Sequence, residues 1–253
     1  MEIEHISVSR KSIFDLCEQK YKFRYHVKAI SDGPEPFYFT YGKIVHKVAQ
    51  VYVENKGKNS INSIAKDVLS GKIELEDNRK APPLEDEYKS KFPNHLRNVV
   101  KITDKLGFEG EVEYPFKYDL DPPNERYVKG VIDRLIIKND KYWILDYKTT
   151  KKGKFRKSAR DITEDIQLRC YAKVVQKEFG AKAEDIKTAL YYLDDNEMVG
   201  ACFGQSSLDQ AEQELLQAYM VIKSTDPSKV FGRTGDHCRR CEYKNQCPFY
   251  SLT

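Results

Sequence analysis

Asp146-Tyr-Lys148 sets a carboxylate and an ammonium two residues apart within a β-forming run, Lys141–Tyr147. Residues i and i+2 of a strand share a face, so Asp146 and Lys148 are expected to project together. A second carboxylate, Asp133 of Gly130-Val-Ile-Asp133, lies on the preceding run Tyr127–Lys138, and the turn pair Asn139-Asp140 would fold the two runs into a hairpin. Two carboxylates beside an ammonium suit Mg²⁺ or Mn²⁺, hard cations that prefer oxygen ligands. Such an ion can polarise a phosphoryl oxygen and activate a water. Lys148 could then orient that water or stabilise charge developing on phosphate. A D-x-K triplet alone also fits an ordinary charged surface hairpin, so its neighbours decide.

Gly42-Lys-Ile-Val-His46 places a glycine and an imidazole one helical turn apart on one face, and His46 is a candidate metal ligand. Gln167 and Tyr171 are spaced the same way on the helix expected after the Lys148 strand. Glu113, on the strand before the hairpin, is an extra acid that an exposed strand position would explain equally well.

The elements that must position these groups can be read from periodicity and breakers. An N-terminal helix starts near Ser9 or Ser12, and Ile13, Cys17, Tyr21 and Tyr25 recur on one of its faces. A second helix is expected over Tyr38–Glu54, a short one over Ile61–Leu69 and another over His95–Leu106. The sequence then turns β-rich from Glu111, with a helix over Thr163–Phe179 and strands over Lys187–Leu193 and Met198–Phe203. Ser207-Leu-Asp-Gln210 resembles a capping box opening a last helix. These predict one mixed α/β domain over residues 1–253, with a polar helical insert at 55–108 and a Cys-rich tail at 232–253.

That tail carries Cys238, Cys241 and Cys247, three thiols on a short segment, and a fourth ligand must come from elsewhere. Both a zinc site and an iron–sulfur cluster suit such soft donors. Cys170 and Cys202 read as small core residues. Directly after the D-x-K strand, Lys148, Lys151, Lys152, Lys154, Arg156, Lys157 and Arg160 follow without an intervening acid. They would neutralise backbone phosphates in a sequence-independent way. Lys20, Lys22 and Arg24 interleave with Tyr21, Phe23 and Tyr25, a second set that could join phosphate contact to base stacking, although aromatics so spaced often belong to a core. Arg239 and Arg240 could extend the basic track.

In order, G-x-x-x-H at Gly42–His46, G-x-x-D at Gly130–Asp133, D-x-K at Asp146–Lys148 and Q-x-x-x-Y at Gln167–Tyr171 resemble the RecB-like branch of the PD-(D/E)XK nuclease superfamily. The resemblance implies a restriction-endonuclease-like mixed central sheet flanked by helices. It also implies divalent metal held by His46, Asp133, Asp146 and the backbone carbonyl of Tyr147, with Lys148 catalytic. Gln167 and Tyr171 would hold DNA or shape the site. Relatives of the AddB and CRISPR-associated kinds add one N-terminal cysteine to a C-terminal trio and bind a 4Fe-4S cluster. Carried over, the ligands are Cys17, Cys238, Cys241 and Cys247, with Zn²⁺ the alternative; Glu18 stands where the family often has proline after the first cysteine.

The implied activity is a metal-dependent DNA exonuclease on single strands or duplex ends, leaving 5′-phosphate and 3′-hydroxyl products, in repair, recombination, phage DNA processing or CRISPR adaptation. The competing reading is a non-catalytic DNA-binding or adaptor protein on the same scaffold, against which the retained Asp133, Asp146 and Lys148 argue. No Walker-type phosphate loop is present, so unwinding would fall to a partner such as a helicase, with a recombinase or CRISPR integrase as other expected partners. Composition agrees with a folded protein: 253 residues, 40% hydrophobic and 32% charged, net charge +4, far from disordered or collagen-like chains. No apolar run spans a membrane, and Met1-Glu-Ile-Glu-His lacks the plan of a signal peptide, so a cytoplasmic location is expected.

Overall fold

Asn139 and Asp140 both take positive φ, 51° and 54°, as a two-residue hairpin turn requires, and both tolerate it. The turn joins two strands of a five-stranded sheet. The structure, a computed structural model, describes residues 1–33, 35–76, 78–150 and 156–250. In chain order its elements are α1 (Val8–Leu16), α2 (Glu18–Tyr21), α3 (Phe37–Glu54), α4 (Ile61–Leu69), α5 (Asp86–Lys89), α6 (Phe92–Leu106), β1 (Glu111–Asp121), β2 (Arg126–Lys138), β3 (Lys141–Lys148), α7 (Ala159–Thr163), α8 (Ile166–Phe179), β4 (Ile186–Tyr192), β5 (Glu197–Ala201) and α9 (Gln205–Ser224). The strand order is β1-β2-β3-β4-β5. The sheet is mixed: β2–β3 and β4–β5 are antiparallel, and β3–β4 are parallel, with Asp146 opposite Leu190 and Lys148 opposite Tyr192. A parallel pair needs a crossover, and α8 supplies it. No described helix is long and apolar enough to cross a membrane.

The chain divides into two compact units: residues 36–115 with 131–208, and residues 1–35 with 116–130 and 209–253. In the first, the apolar stripe of α3 (Ile44, Val45, Val48, Tyr52) packs with Ile64 and Val68 of α4, Leu96 and Val99 of α6, and Leu145, Tyr147, Ala189 and Tyr191 of the sheet. This corrects the expectation of an insert at 55–108. Its helices complete the core that covers one sheet face, since only their polar sides were conspicuous in the sequence.

In the second unit, Ser7 caps α1 by accepting from the Arg10 N–H. Cys17 does not ride on a continuous helical face as expected. Its backbone is extended (φ −165°, ψ 113°), and it separates α1 from α2, which passes into a π-helical turn at Lys22–His26. The interleaved aromatics resolve as core: Tyr21 is fully buried against Phe14 and Tyr25, Phe23 packs on Tyr243, and Lys20 and Arg24 pair with Glu242. They do not form a stacking surface. Ser207 lies inside α9, two residues past its start at Gln205, so the proposed capping box does not open that helix. Gly130 of the G-x-x-D motif is required by close approach: a Cβ there would sit 2.5 Å from the Phe116 ring.

Candidate active site

The β2–β3 register runs as far as Arg134 opposite Leu145. One step further the Tyr147 N–H donates to the Asp133 carboxylate at 2.7 Å, so a side chain replaces the ladder bond at the strand end. Along β3, Tyr147 joins the core beneath α3, while Asp146 and Lys148 point to the other face by simple alternation. Helix α3 brings His46 to the same place. Its Nε2–H donates to the Tyr147 carbonyl at 3.0 Å, which fixes the ring and turns Nδ1 toward two carboxylates. Asp133 Oδ2 lies 3.4 Å and Glu113 Oε1 3.9 Å from that nitrogen.

His46, Glu113 and Asp133 offer ligand atoms that all lie within 4.8 Å of one another. Glu113, weighed at sequence level as equally an exposed strand acid, is therefore a full member of the group. Its backbone carries a signal that sequence cannot show: φ is +48° within a strand, a conformation that costs a side-chain-bearing residue about 1–2 kcal/mol. The neighbouring Gly110, with φ +94°, passes so close to β2 that a Cβ would meet the Leu135 carbonyl oxygen at 2.3 Å.

Burial raises the Glu113 carboxyl, and Asp133 beside it raises it further. Burial likewise raises Asp133, against the pull of His46. Desolvated acids held close together are destabilised as a pair of anions, and a cation between them relieves both effects. One imidazole nitrogen and two carboxylates form a hard, oxygen-rich donor set, so the residues fit a Mg²⁺ or Mn²⁺ ion. Asp146 is not one of the three. Its Oδ2 lies 2.5 Å from Lys148 Nζ, and it reaches Asp133 only through its charge.

Lys148 is held at both ends. Gln167 Oε1 accepts from Nζ at 3.2 Å, and Gln167 Nε2 donates to the Tyr171 hydroxyl at 2.8 Å. Gln167 and Tyr171 thus face the lysine from the first turns of α8, whose start is capped by Asp165. Burial pulls the Lys148 ammonium down, but Asp146 and then Asp133 more than offset it, so its pKa stands above the ordinary value. It acts as a cation at neutral pH. Cys170, between Gln167 and Tyr171, is buried and its thiol is pushed up to about 12, so it is no nucleophile. Cys202, by contrast, is exposed just past β5 and not a core residue.

The basic segment divides. Lys151, Lys152 and Lys154 lie outside the described residues. Arg156 is only 10% exposed, paired with Asp195 and Glu197 and stacked over the Tyr192 ring; Lys157 pairs with Asp165. Acids distant in sequence thus engage these two cations, which the run of bases could not reveal. Two further residues escaped sequence reading: Arg134, buried behind Asp133 and donating to the Gly107 carbonyl, and His95, whose Nδ1 meets the Tyr41 hydroxyl at 2.7 Å and Nε2 the Asp194 carboxylate at 3.3 Å.

In the other unit Cys17, Cys238, Cys241 and Cys247 line one cavity, together with Lys20, Arg233 and Lys244. Cys238 lies within a 3₁₀ turn, Asp236–Arg240, and Cys241 follows directly at its C-cap. Four thiols with cationic neighbours are a donor set that fits a soft metal or an iron–sulfur cluster, because the cations offset thiolate charge.

A mixed sheet whose central strand ends in a carboxylate and a lysine, with an imidazole brought to them by α3, defines a hydrolytic metal-centre architecture. The chain belongs to the PD-(D/E)XK nuclease superfamily, whose sequence model matches residues 5–248. Among solved structures it is similar to a proposed exonuclease from Eubacterium rectale, at 15% identity and TM-score 0.49, covering 94% of this chain and 88% of that one. It is also similar to SSO0001, at 15% identity and TM-score 0.38, covering 91% and 94%. No curated protein matches the chain.

Proposed function

We propose that this protein is a divalent-metal-dependent DNA exonuclease acting on single strands or duplex ends. The observation that carries the reading is the convergence of His46, Glu113 and Asp133 within 4.8 Å at the end of the strand that carries Lys148. When bound, Mg²⁺ or Mn²⁺ would supply Lewis acidity toward a phosphoryl oxygen and a more acidic water. His46, Glu113 and Asp133 would hold it, with Asp146 and the second lone pair of the Tyr147 carbonyl close enough in chain position to complete a shell.

The protein's own groups do the rest. Lys148, fixed between Asp146 and Gln167, keeps its proton and presents positive charge where a pentavalent phosphorus gathers negative charge. Asp146 holds the ammonium in place. Gln167, braced by Tyr171, prevents its rotation away. His46 is locked by the Tyr147 carbonyl, so its metal-facing nitrogen needs no reorientation. Products with 5′-phosphate and 3′-hydroxyl ends follow from the superfamily reading.

The cysteine cavity would hold a 4Fe-4S cluster through Cys17, Cys238, Cys241 and Cys247. Its role in this reading is structural, cross-linking distant segments of one unit and lowering the entropy of its unfolded chain. Lys151, Lys152 and Lys154 would track the DNA backbone without sequence preference; strand unwinding would come from a helicase, with a recombinase or CRISPR integrase as other partners.

Incubating end-labelled single- and double-stranded DNA with the protein and Mg²⁺ or Mn²⁺, with a chelator control, tests the proposal. Metal-dependent shortening from an end is expected. Intact DNA under every metal condition would reject it.

A further inference from the structure

The aromatic run Phe37-Tyr38-Phe39-Thr40-Tyr41 opens α3 and divides in two. Phe37 and Tyr41 turn inward onto Tyr88, with ring centroids 5.1 and 4.4 Å away. Tyr38 and Phe39 stay 45% and 48% exposed, with their ring centroids 4.3 Å apart. Phe179, also exposed, rests on Tyr114 and Tyr142 and so has a local packing role. The Tyr38–Phe39 pair has aromatic area turned to solvent beside a candidate active site.

Its position on α3 is specific. Seven residues at 100° each bring Phe39 back to within about 20° of His46, roughly 10 Å along the axis. Lys43, four residues on from Phe39, lies about 40° round from it and between Phe39 and His46 along the axis. Lys47 stands about 100° round from His46 and donates its Nζ–H to Gln50 Oε1 at 3.0 Å. Gly42 lies on the flank of the Phe39–His46 stripe, where an added Cβ would meet nothing closer than Thr149 Oγ1 at 3.8 Å. The surface from the ring pair to His46 is therefore bordered by Lys43 on one side and by the bare backbone of Gly42 on the other.

We propose that Tyr38 and Phe39 form a base-stacking platform for an unpaired nucleotide, while a phosphate a few nucleotides along the same strand reaches the metal ion that His46, Glu113 and Asp133 would hold. The substrate class is then single-stranded nucleic acid, including a frayed duplex end. This rests on the nuclease reading above. A paired base hides its face in the duplex, whereas an unpaired one offers it to any aromatic ring, whatever the sequence. Lys43, on the stripe, adds positive charge beside the ring pair. About three stacked nucleotides, or fewer of extended strand, bridge ~10 Å.

The test is equilibrium binding of the full chain to a single-stranded oligonucleotide containing 2-aminopurine, with Ca²⁺ replacing Mg²⁺ to suppress cleavage. The wild-type chain should quench the 2-aminopurine emission. Tyr38→Ala/Phe39→Ala should abolish the quench and weaken single-strand binding by about 5- to 150-fold, the range expected for losing one stacked base. Affinity for a blunt duplex should move by less than about twofold on the same scale. Phe39→Trp should keep the affinity and show its own emission quenched by the oligonucleotide. If the double variant fails to fold, Phe39→Leu, which keeps apolar bulk without a π face, should still lose the quench. Unchanged single-strand affinity and quench, or equal losses for single strand and duplex, would overturn the platform. A wild-type chain that binds and cuts no DNA would instead bring down the nuclease reading beneath it.

Discussion

His46 Nε2 donates to the Tyr147 carbonyl at 3.0 Å while its Nδ1 stands 3.4 Å from Asp133. One ring nitrogen is thus an anchor, and the other faces the carboxylates as the proposed ligand. The carbonyl that relatives use toward metal already accepts this bond and keeps one lone pair. His46→Gln should therefore lower Mn²⁺ affinity by about 10- to 100-fold or more, as losses around metal ligands commonly do. Isothermal titration checks it, and affinity unchanged from wild type would remove His46 from the site.

Glu113 combines a desolvated carboxylate with a left-handed backbone at φ +48°. Two variants separate these. Glu113→Gly and Glu113→Ala should both abolish metal-dependent cleavage. The glycine variant should be more stable than the alanine one by about 1 kcal/mol, because only glycine adopts this φ without strain. Urea denaturation measures the difference, and equal midpoints would mean that the strand relaxes without cost.

Lys148→Ala should reduce turnover by about 10²- to 10³-fold, the usual effect of removing one donor to a developing anion. Gln167→Ala, which only loosens the lysine, should cost about 10-fold in turnover and leave DNA affinity intact. Single-turnover kinetics distinguish the two. Wild-type rates in Lys148→Ala would defeat the assignment of charge stabilisation.

His95 sits fully buried between Tyr41 and Asp194. Burial lowers its pKa below the ordinary 6.5, an effect only partly offset by Asp194. The unfolded chain thus binds this proton more readily than the folded one. The contribution is complete above about pH 6.5 and is lost as pH falls toward the lowered folded value. The melting temperature should drop between pH 7 and 5, and His95→Gln should flatten that slope. A slope identical in the variant would assign the loss to other groups.

If the cysteine cavity holds the proposed 4Fe-4S cluster, Cys17→Ser should yield protein with reduced or absent visible sulfur-to-iron absorption and a lower melting temperature, because it removes one of the four thiols. Metal analysis of the wild-type chain decides between iron with sulfide and zinc alone.

The hairpin, its Asn139-Asp140 turn and the shared face of Asp146 and Lys148 were legible in the sequence because they depend on local periodicity and turn chemistry. So was the pairing of Gln167 with Tyr171, which needs only helical spacing. Glu113 was undervalued because its membership depends on a strained φ and on the tertiary position of α3. Arg156 and Lys157 looked like free cations because their acidic partners, Asp195, Glu197 and Asp165, lie elsewhere in sequence. Cys17 differs for a related reason: a four-residue repeat reads as continuous helix, yet the chain breaks at Cys17, which joins Cys238, Cys241 and Cys247 in lining the cavity.

Electron paramagnetic resonance of a Mn²⁺ titration tests the central claim most directly. The wild-type chain should bind Mn²⁺ with nitrogen coupling from one imidazole, and His46→Ala should lose that coupling while Asp133→Asn weakens binding. Mn²⁺ binding with no nitrogen coupling, or binding unchanged in Asp133→Asn, would contradict the site.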